Sequence, residues 1–166
     1  MKKMIMIIIC VVIGLFVYQK NDEIIIPSDA IRVRIIANSN SILDLSKKEE
    51  LKNKIKNDLY HIVKYAKSSN EANDNIKSNI NSINQIVSKY TSDFKINYGL
   101  NYFPEKEFKG VKYKEGYYES VVVTLGEGLG DNWWCVLFPP LCMIEAEEST
   151  DVEYTTMVKT IIDKYF

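Results

Sequence analysis

Residues 116–142 read GYYESVVVTLGEGLGDNWWCVLFPPLC, and the way this stretch divides decides the fold. Tyr117 to Leu125 is rich in β-branched and aromatic residues, and Trp133 to Phe138 is a second apolar run, so both read as strands. Gly126, Gly128 and Gly130 lie between them as a flexible loop, which predicts that the two strands pair as a hairpin. The G-x-G-x-G spacing is not a dinucleotide fingerprint, because that motif needs a helix after the glycines and another strand follows here.

Pro139 and Pro140 each fix φ and remove an amide donor, so the second strand ends there in a tight reversal. A reversal symmetric about Phe138 and Pro139 sets Val136 opposite Leu141 and Cys135 opposite Cys142, at a separation that a disulfide spans. Closing so short a loop stabilises by about 2.5 kcal/mol on the chain-entropy account. The cysteines are not a C-x-x-C pair, so a structural bridge is expected rather than a redox site. Trp133 and Trp134 are adjacent on a strand and point to opposite faces. One of them is expected to be exposed or covered by a partner, and an exposed aromatic beside a rigid turn suits a binding hot spot. The plainer alternative is that the second indole packs beneath a helix.

Outward from this stretch, Phe94, Ile96, Tyr98, Leu100 and Tyr102 alternate with polar residues as a half-buried strand that ends at Phe103-Pro104. The segment from there to Gly116 is charged and reads as a loop. Ile31, Val33 and Ile35 alternate with Arg32 and Arg34, predicting a strand over 31–37 after a Pro27 turn. Ser46 and Glu49 have capping-box spacing, which predicts a helix from there to about Lys67 with Leu51, Ile55, Leu59, Ile62 and Val63 on one face. After Ser68-Ser69-Asn70, the stripe Ala72, Ile76, Ile80, Ile83, Val87 and Tyr90 makes a second helix, packed antiparallel on the first. A C-terminal helix is expected from Val152 to Phe166. This order predicts an α+β two-layer sandwich, with the helical hairpin covering one face of a mainly antiparallel sheet.

Lys2 and Lys3 precede an unbroken apolar run from Met4 to Tyr18, after which the chain turns polar. That is the pattern of an export signal, and no small-x-small cleavage site follows it. As a helix the run is about 22 Å long, against roughly 30 Å for a bilayer core. Residues 1–20 are therefore expected to be a signal peptide or an N-terminal membrane anchor, and residues 24–166 a single exported domain. Cys10 lies inside the apolar run, which leaves Cys135 and Cys142 as an even pair in a disulfide-permissive compartment.

The 21 basic and 22 acidic residues give a net charge of -1 without a large block of either sign, which excludes a nucleic-acid surface. His61 is the only histidine, so a multi-histidine metal site cannot be assembled. Glu127, Asp131, Glu145, Glu147 and Glu148 read as solvated carboxylates. No cofactor-binding motif or catalytic set is expected, and the chain does not read as an enzyme.

IRVRIIANSNS at 31–41, FPEKEF at 103–108 and the 116–142 stretch occur together and in this order. In these pieces the chain resembles the stage II sporulation protein R family of endospore-forming Firmicutes, from about Ile26 to Met143. It departs from that family in carrying Asn40 where members usually have an acidic residue. The resemblance implies a protein made in the forespore and exported into the space between the forespore and mother-cell membranes. There it would be sensed by a membrane-embedded aspartic protease, which then removes the pro-sequence of the sigma-E precursor. The contact surface expected for that partner is Trp133, Trp134, Phe138, Pro139 and Pro140, with Arg32 and Arg34 secondary. Two other readings compete, an exported carboxylate-dependent wall or peptide hydrolase and a structural protein of the spore envelope.

Overall fold

The structure is a computed structural model that describes residues 23–144 and 148–166. The expected signal or anchor at residues 1–20, and Glu145 and Glu147, lie outside the described residues. Among the described residues, no helix is long and apolar enough to cross a membrane.

The elements in order are β1 (Ile24–Ile25), β2 (Ile31–Ile36), α1 (Ile42–Val63), α2 (Ser69–Ser88), β3 (Phe94–Phe103), β4 (Lys106–Phe108), β5 (Val111–Tyr113), β6 (Gly116–Leu125), β7 (Asn132–Phe138), a 3-10 turn (Leu141–Met143) and α3 (Asp151–Tyr165). The fold class is α+β. Helix α1 starts earlier than the Ser46–Glu49 pattern predicts. Ser41 caps it by accepting from the Asp44 amide, which leaves Ser46 and Glu49 inside the helix. Ser68 caps α2, and Glu71 reaches back to the Lys67 amide. Thr150 and Glu153 form a reciprocal capping box on α3.

Four strands form the central sheet in the order β3-β6-β2-β7. β3 and β6 are antiparallel, β6 and β2 are parallel, and β2 and β7 are antiparallel. The expected hairpin of β6 with β7 is therefore incorrect, because β2 lies between them. The loop after β6 crosses the end of β2 and is fastened to it. The Leu129 and Gly130 amides donate to the Asn38 and Ala37 carbonyls, and the Ala37 amide donates to the Asp131 carbonyl. Side chains complete the join, with Asn38 Oδ1 accepting from the Glu127 amide and Asn40 Oδ1 from the Asp131 amide. Two glycines are required by this approach rather than by flexibility. A Cβ on Gly126, where φ is 51°, would lie 2.2 Å from Asn38 Oδ1, and one on Gly130 would lie 2.4 Å from the Ser39 carbonyl oxygen.

Ile31, Val33 and Ile35 of β2 and Val121, Val123 and Leu125 of β6 face the helical hairpin, where they meet Leu51, Ile55, Leu59, Ile76, Ile83 and Val87. The opposite face of β2 carries Arg32 and Arg34. That face is covered over Arg32 and left partly exposed at Arg34. A second sheet, in the order β1-β5-β4, and α3 pack over it around Ile26, Val111, Val136, Tyr154 and Val158. The segment read as a charged loop thus supplies β4 and β5, two strands of three residues each.

Candidate binding groove

Strand β7 alternates its side chains between the two layers. Trp133 packs half-buried against the core on the helical side. Trp134 points the other way and is the cross-strand partner of Arg34. Its indole packs edge-on against Phe103 at 5.3 Å, with the Arg34 guanidinium at 4.4 Å and the Lys106 ammonium at 5.0 Å from the ring. Arg34 Nε also donates to Asn132 Oδ1 at 2.8 Å. The indole is thus held between two cations and an aromatic edge.

Arg32 lies opposite Val136 and is only 2% exposed. Its guanidinium sits 4.3 Å from the Phe103 ring, 4.9 Å from Tyr118 and 5.6 Å from Tyr113. Nε is buried without a hydrogen-bond partner, and no ion pair joins Arg32 to a carboxylate among the described residues. Burial pulls its pKa below the ordinary arginine value, and the Tyr118 and Tyr113 hydroxyls oppose that shift. An arginine starts so high that the group stays charged at physiological pH. Tyr113 and Tyr154 share a hydroxyl hydrogen bond of 2.7 Å, and burial raises the pKa of both.

Cys135 and Cys142 are joined, with Cα atoms 5.6 Å apart. The bridge does not close a two-stranded ladder as the symmetric reversal predicts. Pro140 has no amide to donate, and the Leu141 amide bonds to the Pro139 carbonyl at 2.7 Å, so the chain enters a 3-10 turn. The disulfide therefore ties that turn to β7, and its sulfurs lie 3.6 and 3.0 Å from the Val136 carbonyl oxygen.

The expected contact surface is redistributed. Phe138 is fully buried, with its ring against Tyr165 at 5.0 Å, and Pro139 is buried beside it. Neither presents a side chain at the surface, because α3 closes over the reversal. Pro140 is half-buried. Trp133, Trp134, Arg32 and the disulfide instead line one groove of about 720 Å³. One wall is Lys52, Asn53 and Lys56 of α1, and the other is Lys106, Glu107 and Phe108 of β4. The α1 wall has no signal in the residue pattern. Lys106 and Phe103 were visible in FPEKEF, but only as part of a motif without a role. His61 is exposed on α1, away from this groove. Among the described residues, no group of three or more His, Cys, Asp or Glu is placed to hold a metal ion.

The family model described as stage II sporulation protein R matches residues 27–148. The chain belongs to the stage II sporulation protein R family. A stage II sporulation protein R from Bacillus subtilis (strain 168) is 35% identical over 133 residues, covering 76% of this chain and 59% of the relative. The chain thus spans less than two thirds of that relative's length. No solved structure matches it. A role in sporulation follows for this member of the stage II sporulation protein R family. Its matched region holds the whole central sheet, both glycine contacts and most of the groove, whereas α3 lies beyond it. The three motifs separated in sequence meet at the groove, which Arg32 of the first, Lys106 and Phe108 of the second and Trp134 of the third line, with Arg34, Phe103 and Tyr118 packed against them.

Proposed function

We propose that this sporulation protein is an exported activating signal. It leaves the forespore, binds the extracytoplasmic face of a membrane-embedded aspartic protease, and causes that protease to process the sigma-E precursor. The observation that carries the reading is the convergence of the three family motifs on one groove built of a stacked indole, cations and an open strand edge. Such a surface is made for binding. The Lys2-Lys3 start and the apolar run from Met4 to Tyr18 support export. Activation requires that the ligand bind the active arrangement of the protease more tightly than the resting one, since equal affinity would shift nothing.

The test is reconstitution in a non-sporulating host that expresses the protease, the sigma precursor and this protein. Cleavage should depend on this protein, and Trp134→Ala should abolish it while the amount of exported, disulfide-bonded protein stays unchanged. Cleavage without this protein, or undiminished cleavage with Trp133→Ala and Trp134→Ala, would overturn the reading.

A further inference from the structure

β7 is an outer strand of the central sheet and β4 is an outer strand of the smaller one. Both border the same groove. Free edges are ordinarily protected by charged side chains, proline or a covering segment. β4 has such protection in Lys106 and Glu107, and the C-terminal part of β7 has it in the disulfide-tethered 3-10 turn. Asn132 to Cys135, reading NWWC, has neither charge nor proline. Its side chains reach both walls, so the main chain between them runs along the groove.

The charge of the groove is one-sided among its described lining residues. Arg32, Lys52, Lys56 and Lys106 face Glu107 and Glu148. Lys52 is already paired with Glu49. Arg32 is not paired, and it is the one cation there that solvent barely reaches. A buried guanidinium without an anion carries a desolvation cost that a carboxylate recovers through charge-assisted hydrogen bonds.

We infer that the groove binds an extended acidic segment of a partner protein, which adds as a strand to the free edge of β7 at Asn132–Cys135 and seats a carboxylate on Arg32. Main-chain pairing supplies the affinity, and the alternate side chains supply the selectivity. On the second-sheet side a carboxylate side chain meets Arg32, and the alternate, apolar side chains point to the helical side, where they meet Trp133. The inference rests on reading this groove as the partner-binding face, and it specifies the chemistry of what binds there.

The test uses the full-length chain, isotope-labelled and purified in detergent, titrated with a synthetic peptide of alternating valine and glutamate. Companion peptides carry glutamine or lysine in place of glutamate, or a central proline. The glutamate peptide should protect every second amide of Asn132–Cys135 from hydrogen exchange, and the other three should bind at least tenfold more weakly. Arg32→Met should weaken the glutamate peptide at least tenfold. Lys106→Glu, an exposed substitution that leaves the core intact, should weaken it and strengthen the lysine peptide. Equal binding of the glutamine peptide, absence of β7 protection, or the same response to inorganic phosphate or to phosphatidylglycerol vesicles would overturn the inference. Loss of peptide binding by a variant that still drives precursor cleavage would sink strand addition alone. Intact peptide binding with no dependence of cleavage on the groove would sink the signalling role and leave the site.

Discussion

Arg34 and Trp134 are directly opposite one another on β2 and β7, and the guanidinium lies 4.4 Å from the indole ring. The pair joins the outermost strand of the sheet to its neighbour through side chains as well as through the ladder. Arg34→Ala removes this stack and the Asn132 hydrogen bond together. The expected cost is about 1–2 kcal/mol, read as a lower urea midpoint with unchanged slope. The Trp134 emission should also shift to the red as water reaches the ring. A variant with the wild-type midpoint and spectrum would show that the stack contributes nothing.

The disulfide holds the 3-10 turn against the end of β7, so its loss should loosen that end before it unfolds the sheet. Thiol labelling of the denatured, unreduced protein should leave the peptides bearing Cys135 and Cys142 unlabelled. Substituting both by alanine should lower stability by about 2.5 kcal/mol on the loop-entropy account. Hydrogen exchange should rise at Val136 to Phe138 while β3 and β6 keep their protection. Labelled cysteines in the native exported protein would contradict this.

The glycine loop makes a sharper demand. Gly126→Ala places a methyl group into the Asn38 side chain at a positive φ, and Gly130→Ala places one into the Ser39 main chain. Each is expected to destabilise by more than about 2 kcal/mol. Combining Asn38→Gly with Gly126→Ala should recover part of the loss, because the obstructing atoms are gone. No such rescue is open to Gly130→Ala, whose obstacle is backbone. Urea unfolding of these three variants, with Asn38→Gly alone as the reference for the double variant, tests the ordering.

Asp44 accepts from Ser39 Oγ at 2.6 Å and from Asn38 Nδ2 at 2.9 Å, and these hydrogen bonds hold its pKa below the usual aspartate value. A depressed carboxylate contributes stability that is present above the unfolded value, near pH 4, and is lost as pH falls through the folded value. Asp44→Asn should therefore flatten the decline in stability below about pH 4. If wild type and variant decline in parallel from pH 5 to pH 2, this network does not couple to folding.

These cases show how far the residues themselves disclosed the structure. The alternation through Phe94–Tyr102 and Ile31–Ile36, and the Leu51–Ile55–Leu59 and Ile76–Ile83–Val87 stripes, each named an element correctly, because burial on one face imposes a period that local sequence must obey. The partner of β7 was not legible. A glycine loop after a strand looks the same whether it closes a hairpin or crosses over a neighbour, and here Asn38, Ser39 and Asn40, distant in the chain, decide between them. The same limit applied to Arg32. Its position opposite Val33 and Ile35 announced a polar face, but the two short strands that help cover that face carry too little periodicity of their own to announce it, and the C-terminal helix, legible as a helix, carries no sign of where it packs. Phe138 was misplaced for the related reason that α3 closes over it.

Arg32 then gives the prediction with the least obvious sign. A charge buried with no partner destabilises a fold, and replacing it by an apolar side chain of similar length commonly raises stability. The contacts with Phe103, Tyr118 and Tyr113 offset part of that cost, since a cation over an aromatic face is worth about 0.5–2 kcal/mol per contact. Methionine keeps the packing of the arginine stem and its own contacts with the rings, while removing the desolvated charge. Arg32→Met is therefore expected to melt a few degrees above wild type, from about 1 kcal/mol of net stabilisation, and to fail in precursor cleavage when co-expressed with the protease. Stability and signalling would then be set against each other at one residue, as expected where a group is kept for a ligand rather than for the fold. A lower melting temperature with cleavage intact would mean that the aromatic cage, not an incoming anion, is the reason the guanidinium is there.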